Sequence, residues 1–248
     1  MNKLLRECTT DEKCAYLDNA KQTTHYRIVN RCSTSFCAEL IERGWRRFGS
    51  MFFRPICADC HACESFRIDV KNYLFSKSQR RILRKNENTK IVIQHPQITS
   101  AHLALFDKYH LHMKEKRNWS HETTTPNHYY TSFVHGHGEF GYEILYYIDN
   151  ALVGVDLIDI LPTGISSIYF YYDPDFSKQS LGTFSMLKQI QIAQENNLEW
   201  IYMGYYVNGC QSLEYKSRYK PYQILQGRPD DEHEPSWLHD KKDHNDEI

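Results

Sequence analysis

The sequence has no apolar run approaching the ~20 residues that a membrane-spanning helix needs. Its opening, Met1-Asn2-Lys3-Leu4-Leu5-Arg6-Glu7, lacks the sustained apolar stretch of an export signal. Internal repeats and low-complexity blocks are absent, and beyond residue 63 cysteine is nearly absent, with Cys210 alone following. These gaps argue against a membrane partner and against a repeat architecture. They make reduced thiols in the cytoplasm the expectation, rather than a disulfide framework.

What is present is concentrated. Seven of eight cysteines fall in the first 63 residues, three of them as Cys57-x-x-Cys60-x-x-Cys63. Thiols spaced by two can turn toward one centre, as a metal or cluster requires. The set Cys14, Cys57, Cys60 and Cys63 therefore reads either as ligands of structural zinc or an iron–sulfur cluster, or as free thiols. The net charge of -1 hides an asymmetry: residues 71–90 hold seven Lys/Arg against one Glu, while Pro229–Ile248 holds eight acidic residues against two lysines. A basic patch on a near-neutral chain fits a nucleic-acid contact, although a solvated helix face is the more ordinary fate of a charge run.

Composition, with 41% hydrophobic and 14% aromatic residues in 248, suits a folded chain with one large core or two smaller ones. Ser33–Arg47 reads as a helix capped by Ser33 and ended near Gly44, and Ser76–Asn88 as a second, with Ser78 as a cap. Lys90–Gln94 reads as a strand, and Ser100–Arg117 as a helix with Leu103, Phe106, Tyr109 and Met113 at helical spacing. Three strands follow, at 142–149, 152–160 and 165–172, then a helix over 180–196 and a strand over 199–207.

Antiparallel meander, helix, strand is the order of the acetyltransferase-like (GNAT) fold, whose neighbouring parallel strands splay into a cleft. The expected class is α+β: a small cysteine-rich N-terminal region (1–75), a GNAT-like mixed α/β domain (76–226) and an acidic, flexible tail (227–248). The turn Gln179-Ser180-Leu181-Gly182-Thr183-Phe184 matches the pyrophosphate loop of that fold only in part, and Phe184 is expected to crowd a CoA pyrophosphate.

Five motifs in order carry a more specific resemblance. They are Cys14-x-Tyr16-Leu17; Arg54-Pro55-x-Cys57-x-x-Cys60-x-x-Cys63-x-x-x-Arg67; Ser76-x-Ser78-Gln79-Arg80-Arg81; Tyr172-Asp173-Pro174 with Leu181-Gly182; and Tyr202-Met203-Gly204-Tyr205-Tyr206-Val207 through Cys210, Tyr215-Lys216, Tyr219 and Pro221. Together, from about Cys14 to Tyr222, they resemble the aminoacyl-tRNA–protein transferases of the arginyltransferase family. Length and the triple-cysteine run resemble its bacterial branch, which moves leucine from leucyl-tRNA onto proteins beginning with Asp or Glu and so marks them for degradation; longer eukaryotic relatives move arginine. Leu17 stands where those relatives have a second cysteine, so a metal site carried over from them loses a ligand.

The implied reaction is aminolysis of an activated ester, for which no cofactor is required. The acceptor's carboxylate needs a cation, for which Arg46, Arg47, Arg67 and Lys216 are candidates. The tRNA phosphates need Arg80, Arg81, Arg84 and Lys85, and the terminal base needs an aromatic such as Tyr205, Tyr206 or Trp45. Tyr215 and Lys216 are expected to orient the ester or offset charge on the leaving oxygen, while Asp173 either takes part in proton transfer or braces a turn. Arginyl transfer, CoA-dependent N-acetyl transfer and non-enzymatic RNA binding are the rival functions.

Overall fold

The computed structural model describes residues 2–239. Two polar strands open it, β1 (Lys3–Lys13) and β2 (Lys21–Asn30), paired antiparallel. Helix α1 (Thr34–Glu42) is capped by the Ser33 hydroxyl, which accepts from Phe36 N. It stops earlier than the sequence suggests, because Gly44 (φ +81°) turns the chain and Arg46–Phe48 becomes strand β3. Strand β4 (Met51–Pro55) completes a four-stranded sheet in the order β1-β2-β4-β3.

Strand β5 (Glu64–Asp69) leaves that sheet and enters a second one, so the cysteine-rich region contributes a central strand to the larger half of the molecule. Helix α2 (Lys77–Lys85) begins with a full capping box in which Ser76 and Gln79 exchange bonds; the cap is Ser76, not Ser78. After β6 (Lys90–Gln94) come α3 (Ser100–Arg117), the single turn α4 (Pro126–Tyr129) and the meander β7 (Gly141–Ile148), β8 (Ala151–Ile160) and β9 (Gly164–Tyr172). Asp149 and Asn150, both at positive φ, make a two-residue hairpin turn between β7 and β8.

Helix α5 (Leu181–Glu195) then returns the chain to β10 (Trp200–Tyr206), which lies parallel to β9. Strands β11 (Tyr222–Leu225) and β12 (Trp237–His239) finish an eight-stranded mixed sheet in the order β12-β11-β5-β10-β9-β8-β7-β6. The main core joins α5 (Leu181, Phe184, Leu187, Ile190) to the large sheet, with Phe66, Ile144, Ile158, Ile165 and Ile201 opposite. Leu105 and Phe106 of α3 belong to a separate cluster with Leu145, Val155, Leu157 and Tyr171 of the sheet.

The acidic segment is anchored further than its composition suggests. Arg228 bonds the main-chain oxygens of Cys57 and Cys60, Asp231 pairs with Arg27, and the Trp237 indole donates to Glu42 O. The remainder of the expected tail, 240–248, lies outside the described residues.

Candidate functional site

Strands β9 and β10 pair for only three residues, Gly164–Ser166 against Trp200–Tyr202, and then part. Bulges at Ile168 against β8 and at Met203 against β5 bend the two strands where they separate. Arg46, delivered by β3 of the small sheet, lies across the fork. Its guanidinium donates to Ser167 O on one arm and to Tyr202 O (3.4 Å) on the other. Gly204 (φ +79°) makes room for it: a Cβ there would stand 3.1 Å from Arg46 Nε.

A second cation closes on the same place. The segment after β10 forms a 3-10 turn over Glu214–Arg218, and Lys216, buried within it, donates from Nζ to Tyr205 O at 2.5 Å. Burial, reinforced by the charge of Arg46, pulls the Lys216 pKa down to about 7. Burial also lowers that of Arg46. Among the described residues no carboxylate lies within ion-pair distance of either; Asp159, whose charge Arg46 senses, is engaged by Arg47. Buried charges are ordinarily paired. Here, among the described residues, half-buried Arg46 and buried Lys216 have only backbone oxygens as hydrogen-bond partners.

Under the fork lies an acid that the sequence reading missed. Asp156 on β8 is fully buried and accepts from Gln189 Nε2 at 2.8 Å, and Gln189 also reaches Ser167 Oγ at 3.2 Å. Burial raises the Asp156 pKa to about 7. Its signal was a carboxylate inside the apolar run Val153–Ile160. The unfolded chain ionises Asp156 near 4 and the folded chain near 7. The native state therefore holds the extra proton in that window, and stability falls as pH rises through it. Denaturation curves for Asp156→Asn should show less of this fall between pH 4 and 7 than those of the wild type.

Several residues expected in the site turn out to be framework. Arg47 points away from Arg46, as alternate residues of a strand must, and grips buried Asp159 through Nε (2.9 Å) and Nη2 (2.5 Å). Arg67 bonds Glu42 and Gln223 and stacks on Trp200 (3.7 Å) and Trp237 (4.4 Å). Neither guanidinium is open to a substrate. Tyr205 is buried, its hydroxyl donating to Gly44 O and Phe53 O. Tyr206 packs against the main core, and Trp45 is fully buried between Arg27 and Arg54. Buried Tyr205 and Trp45 are not placed to stack on a base, while Tyr206 is half-buried. Asp173 caps the 3-10 turn Pro174–Gln179 and pairs with Lys108 at 2.6 Å. Phe184 faces the core beside Tyr146, so it does not crowd the turn before α5.

The basic helix stands beside the mouth of the fork. Lys85 Nζ donates to Lys178 O, and Asn86 Nδ2 donates to Gln179 O, which ties the end of α2 to the segment joining β9 to α5. Arg80, Arg81, Arg84 and Lys85 are exposed and, with Lys77 and Glu87, line an open depression of about 700 Å³.

The cysteines converge near the same region. The Cys63 thiol is pushed up to about 12 by burial and by neighbouring Cys14, Cys57 and Cys60. Tyr16 connects them to the fork, sensing Cys63, Cys210 and Cys14 on one side and Arg46 on the other. Cys57 Sγ is taken up with Thr23, accepting from its N at 3.4 Å. Among the described residues no group of three or more His, Cys, Asp or Glu is arranged to hold a metal ion. As placed, the four thiols do not fit zinc or a cluster, and no chemistry is assigned to one. No described helix is long and apolar enough to cross a membrane.

Family models match both halves of the sequence: "Arginine-tRNA-protein transferase, N terminus" over residues 12–81 and "Arginine-tRNA-protein transferase, C terminus" over residues 101–226. The chain is 51% identical over 220 residues to an aspartate/glutamate leucyltransferase of Campylobacter jejuni, spanning 89% of this chain and 92% of that one. It is 44% identical over 224 residues to the aspartate/glutamate leucyltransferase of Helicobacter hepaticus, spanning 90% and 93%. Among solved structures, that of L-PGS from Bacillus licheniformis aligns with 66% of this chain and 58% of that one, at 13% identity and a TM-score of 0.45.

Proposed function

This chain belongs to the arginine-tRNA-protein transferase family, and from that membership we propose that it moves leucine from leucyl-tRNA onto the N-terminal Asp or Glu of acceptor proteins, as the aspartate/glutamate leucyltransferases similar to it do. One observation carries the reading to the atomic level: half-buried Arg46 and buried Lys216, in the fork between β9 and β10, have no carboxylate partner among the described residues. An acidic side chain is the ligand that completes them. The splayed parallel pair with α5 between its strands supports the GNAT-like arrangement inferred from element order.

In the proposed reaction the acceptor's carboxylate enters the fork against Lys216 and Arg46. This holds its α-amine over the carbonyl that joins leucine to the tRNA. An α-amine has a pKa of about 7.7–8.0, so near neutrality an appreciable fraction is already nucleophilic without a strong base. The amine nitrogen attacks the carbonyl carbon, the C–N bond forms, and the C–O bond to the ribose breaks. The proton lost by nitrogen ends on the departing 3′-oxygen. The ester supplies the driving energy, and the protein supplies position and a positive field.

The exposed arginines of α2 serve the RNA phosphates in this scheme. An Arg80→Ala/Arg81→Ala double variant should bind tRNA more weakly and with a shallower salt dependence, because about one counterion fewer is released per lost contact. Filter binding across a salt series measures this, and an unaltered slope removes those residues from the RNA site. The reaction itself is tested by giving the protein a Glu-initiated peptide with leucyl-tRNA, arginyl-tRNA or acetyl-CoA in separate vessels. Mass spectrometry should find leucine added, and only in the first. Arginine or acetyl in its place, or no product with bound tRNA, would assign one of the rival functions.

A further inference from the structure

The two arms of the fork are anchored differently. Between them, Arg46 joins the main-chain oxygens of Tyr202, the last residue of β10 that pairs with β9, and Ser167, the first residue of β9 beyond that pairing. On the β10 arm, Lys216 donates to Tyr205 O from the turn that also carries exposed Tyr215. On the β9 arm the anchor is a side chain. Ser167 has lost its parallel neighbour, and just beyond it the ladder to β8 shifts at a bulge, between the pairs Ile158–Ser167 and Leu157–Tyr169. The regular pairing that sets the direction of a strand's carbonyls therefore runs out at this residue. Its hydroxyl accepts from Gln189 Nε2 at 3.2 Å, and the same nitrogen donates to Asp156 Oδ2 at 2.8 Å. Both donor hydrogens of one amide are thus used to tie α5 to β8 and to the root of the β9 arm.

This polar link stands in an apolar place. Asp156 and Gln189 are fully buried in the layer where Leu187 and Ile190 of α5 meet Ile158 and Ile165 of the large sheet. Gln189 Oε1 has no hydrogen-bond partner among the described residues. Burying a carboxyl and an amide costs free energy that their hydrogen bonds only partly offset, and two leucines would fill similar space without that cost. Stability does not call for the link, whereas the placement of Ser167 does. We propose that Asp156 and Gln189 are positioning residues for recognition of the acceptor: through Ser167 they hold the β9 arm so that Arg46 stays aimed at the incoming carboxylate. The inference rests on the transferase reading and adds to it two residues that touch no substrate.

The test follows the KM of both substrates during leucyl transfer to a Glu-initiated peptide. Gln189→Met keeps the volume and removes both donors. It should raise the KM for the peptide by about 2- to 12-fold, the ratio that corresponds to one hydrogen bond of about 0.5–1.5 kcal/mol, and leave the KM for leucyl-tRNA in place. Ser167→Ala should do the same, and Ser167→Thr, which keeps the hydroxyl, should retain the wild-type value. Asp156→Asn, whose side-chain oxygen still accepts from Gln189, should also stay close to it. A loosened fold could mimic a raised KM, and the double variant Asp156→Leu/Gln189→Leu separates the two. With both partners apolar the core stays closed, so its urea midpoint should equal or exceed that of the wild type while the peptide KM remains raised. A stable double variant with the wild-type peptide KM would overturn the proposal. So would an unchanged peptide KM in Ser167→Ala, whatever the fate of the double variant, or an equal rise in both KM values in Gln189→Met. If the wild type transferred no leucine at all, the transferase reading itself would fail, and that is read before any variant is compared.

Discussion

Arg47→Ala should unfold at a urea concentration about 1–2 M below that of the wild type, losing on the order of 3–5 kcal/mol, the usual cost of breaking a buried ion pair by removing one partner. Asp159 would be left fully buried with only the Cys37 thiol, 3.9 Å away, still near its carboxylate. The main-chain oxygens of Gly49 and Gly136 would lose their donor as well. Burial works against the Arg47 charge, but Asp159 outweighs it and the guanidinium pKa is raised. The pair fastens β3 to β8, that is, the small sheet to the large one. Since Arg46 rides on the same strand, the loss should also disorder the fork. Urea unfolding at pH 7 measures the effect. A midpoint matching the wild type would show that Arg47 is not the clasp between the sheets.

Lys216→Met should have the opposite profile, with folding intact and transfer impaired. Methionine keeps most of the stem and removes a buried charge, so the fold is relieved of a cost while the anion site is broken. Truncating one member of a buried hydrogen-bonded charge pair typically costs about 2–5 kcal/mol in binding, which corresponds to a fall of about thirtyfold or more in kcat/KM for a Glu-initiated peptide. The pH profile carries a second signature. The acceptor amine gains reactivity as pH rises toward 8, but Lys216, with a pKa of about 7, loses its charge over the same range. The kcat/KM of the wild type should therefore pass through a maximum near neutrality. Lys216→Arg should keep its charge and lose the alkaline fall. Stability should show the matching linkage. The native pKa lies below that of the unfolded chain, so the Lys216 contribution rises with pH between about 7 and 10.5. A flat comparison of Lys216→Met with wild type in the transfer assay would remove this lysine from the site.

Helix α3 was fully legible from the sequence: its apolar spacing gives Ser100–Arg117, the span observed. The meander, α5 and β10 came within a residue or so, because their alternation and turn residues agree with their tertiary surroundings. The β1–β2 hairpin was not legible, since β1 is exposed along nearly its whole length and carries no apolar period. Strand β5 was equally hidden. Glu64–Asp69 is a strand because β10 and β11 flank it, which is a fact about distant segments.

The candidate site shows the same division. Sequence grouped Arg46 with Arg47, and nothing in two adjacent arginines says which faces the fork and which the Asp159 clasp. Strand geometry sends them to opposite sides, and only pairing with β4 sets which side is which. Lys216 was found because it sits in a motif. Its burial was not, because a 3-10 turn that folds back onto the end of β10 leaves no periodicity to read. Asp156 was readable in principle as a carboxylate among Val153, Val155, Leu157 and Ile158, as was Asp159 three residues on.

The most direct measurement compares kcat/KM for two peptides, identical except for Glu or Gln at the first residue, in the wild type and in Lys216→Met, with leucyl-tRNA as donor. If the fork's cations receive the acceptor's carboxylate, the wild type should prefer Glu over Gln by about a hundredfold, and most of that preference should vanish in Lys216→Met, with its residual rate similar for both peptides. A variant that is slower on both peptides yet keeps the full preference for Glu would place acidic-residue recognition elsewhere and contradict the role assigned to the fork.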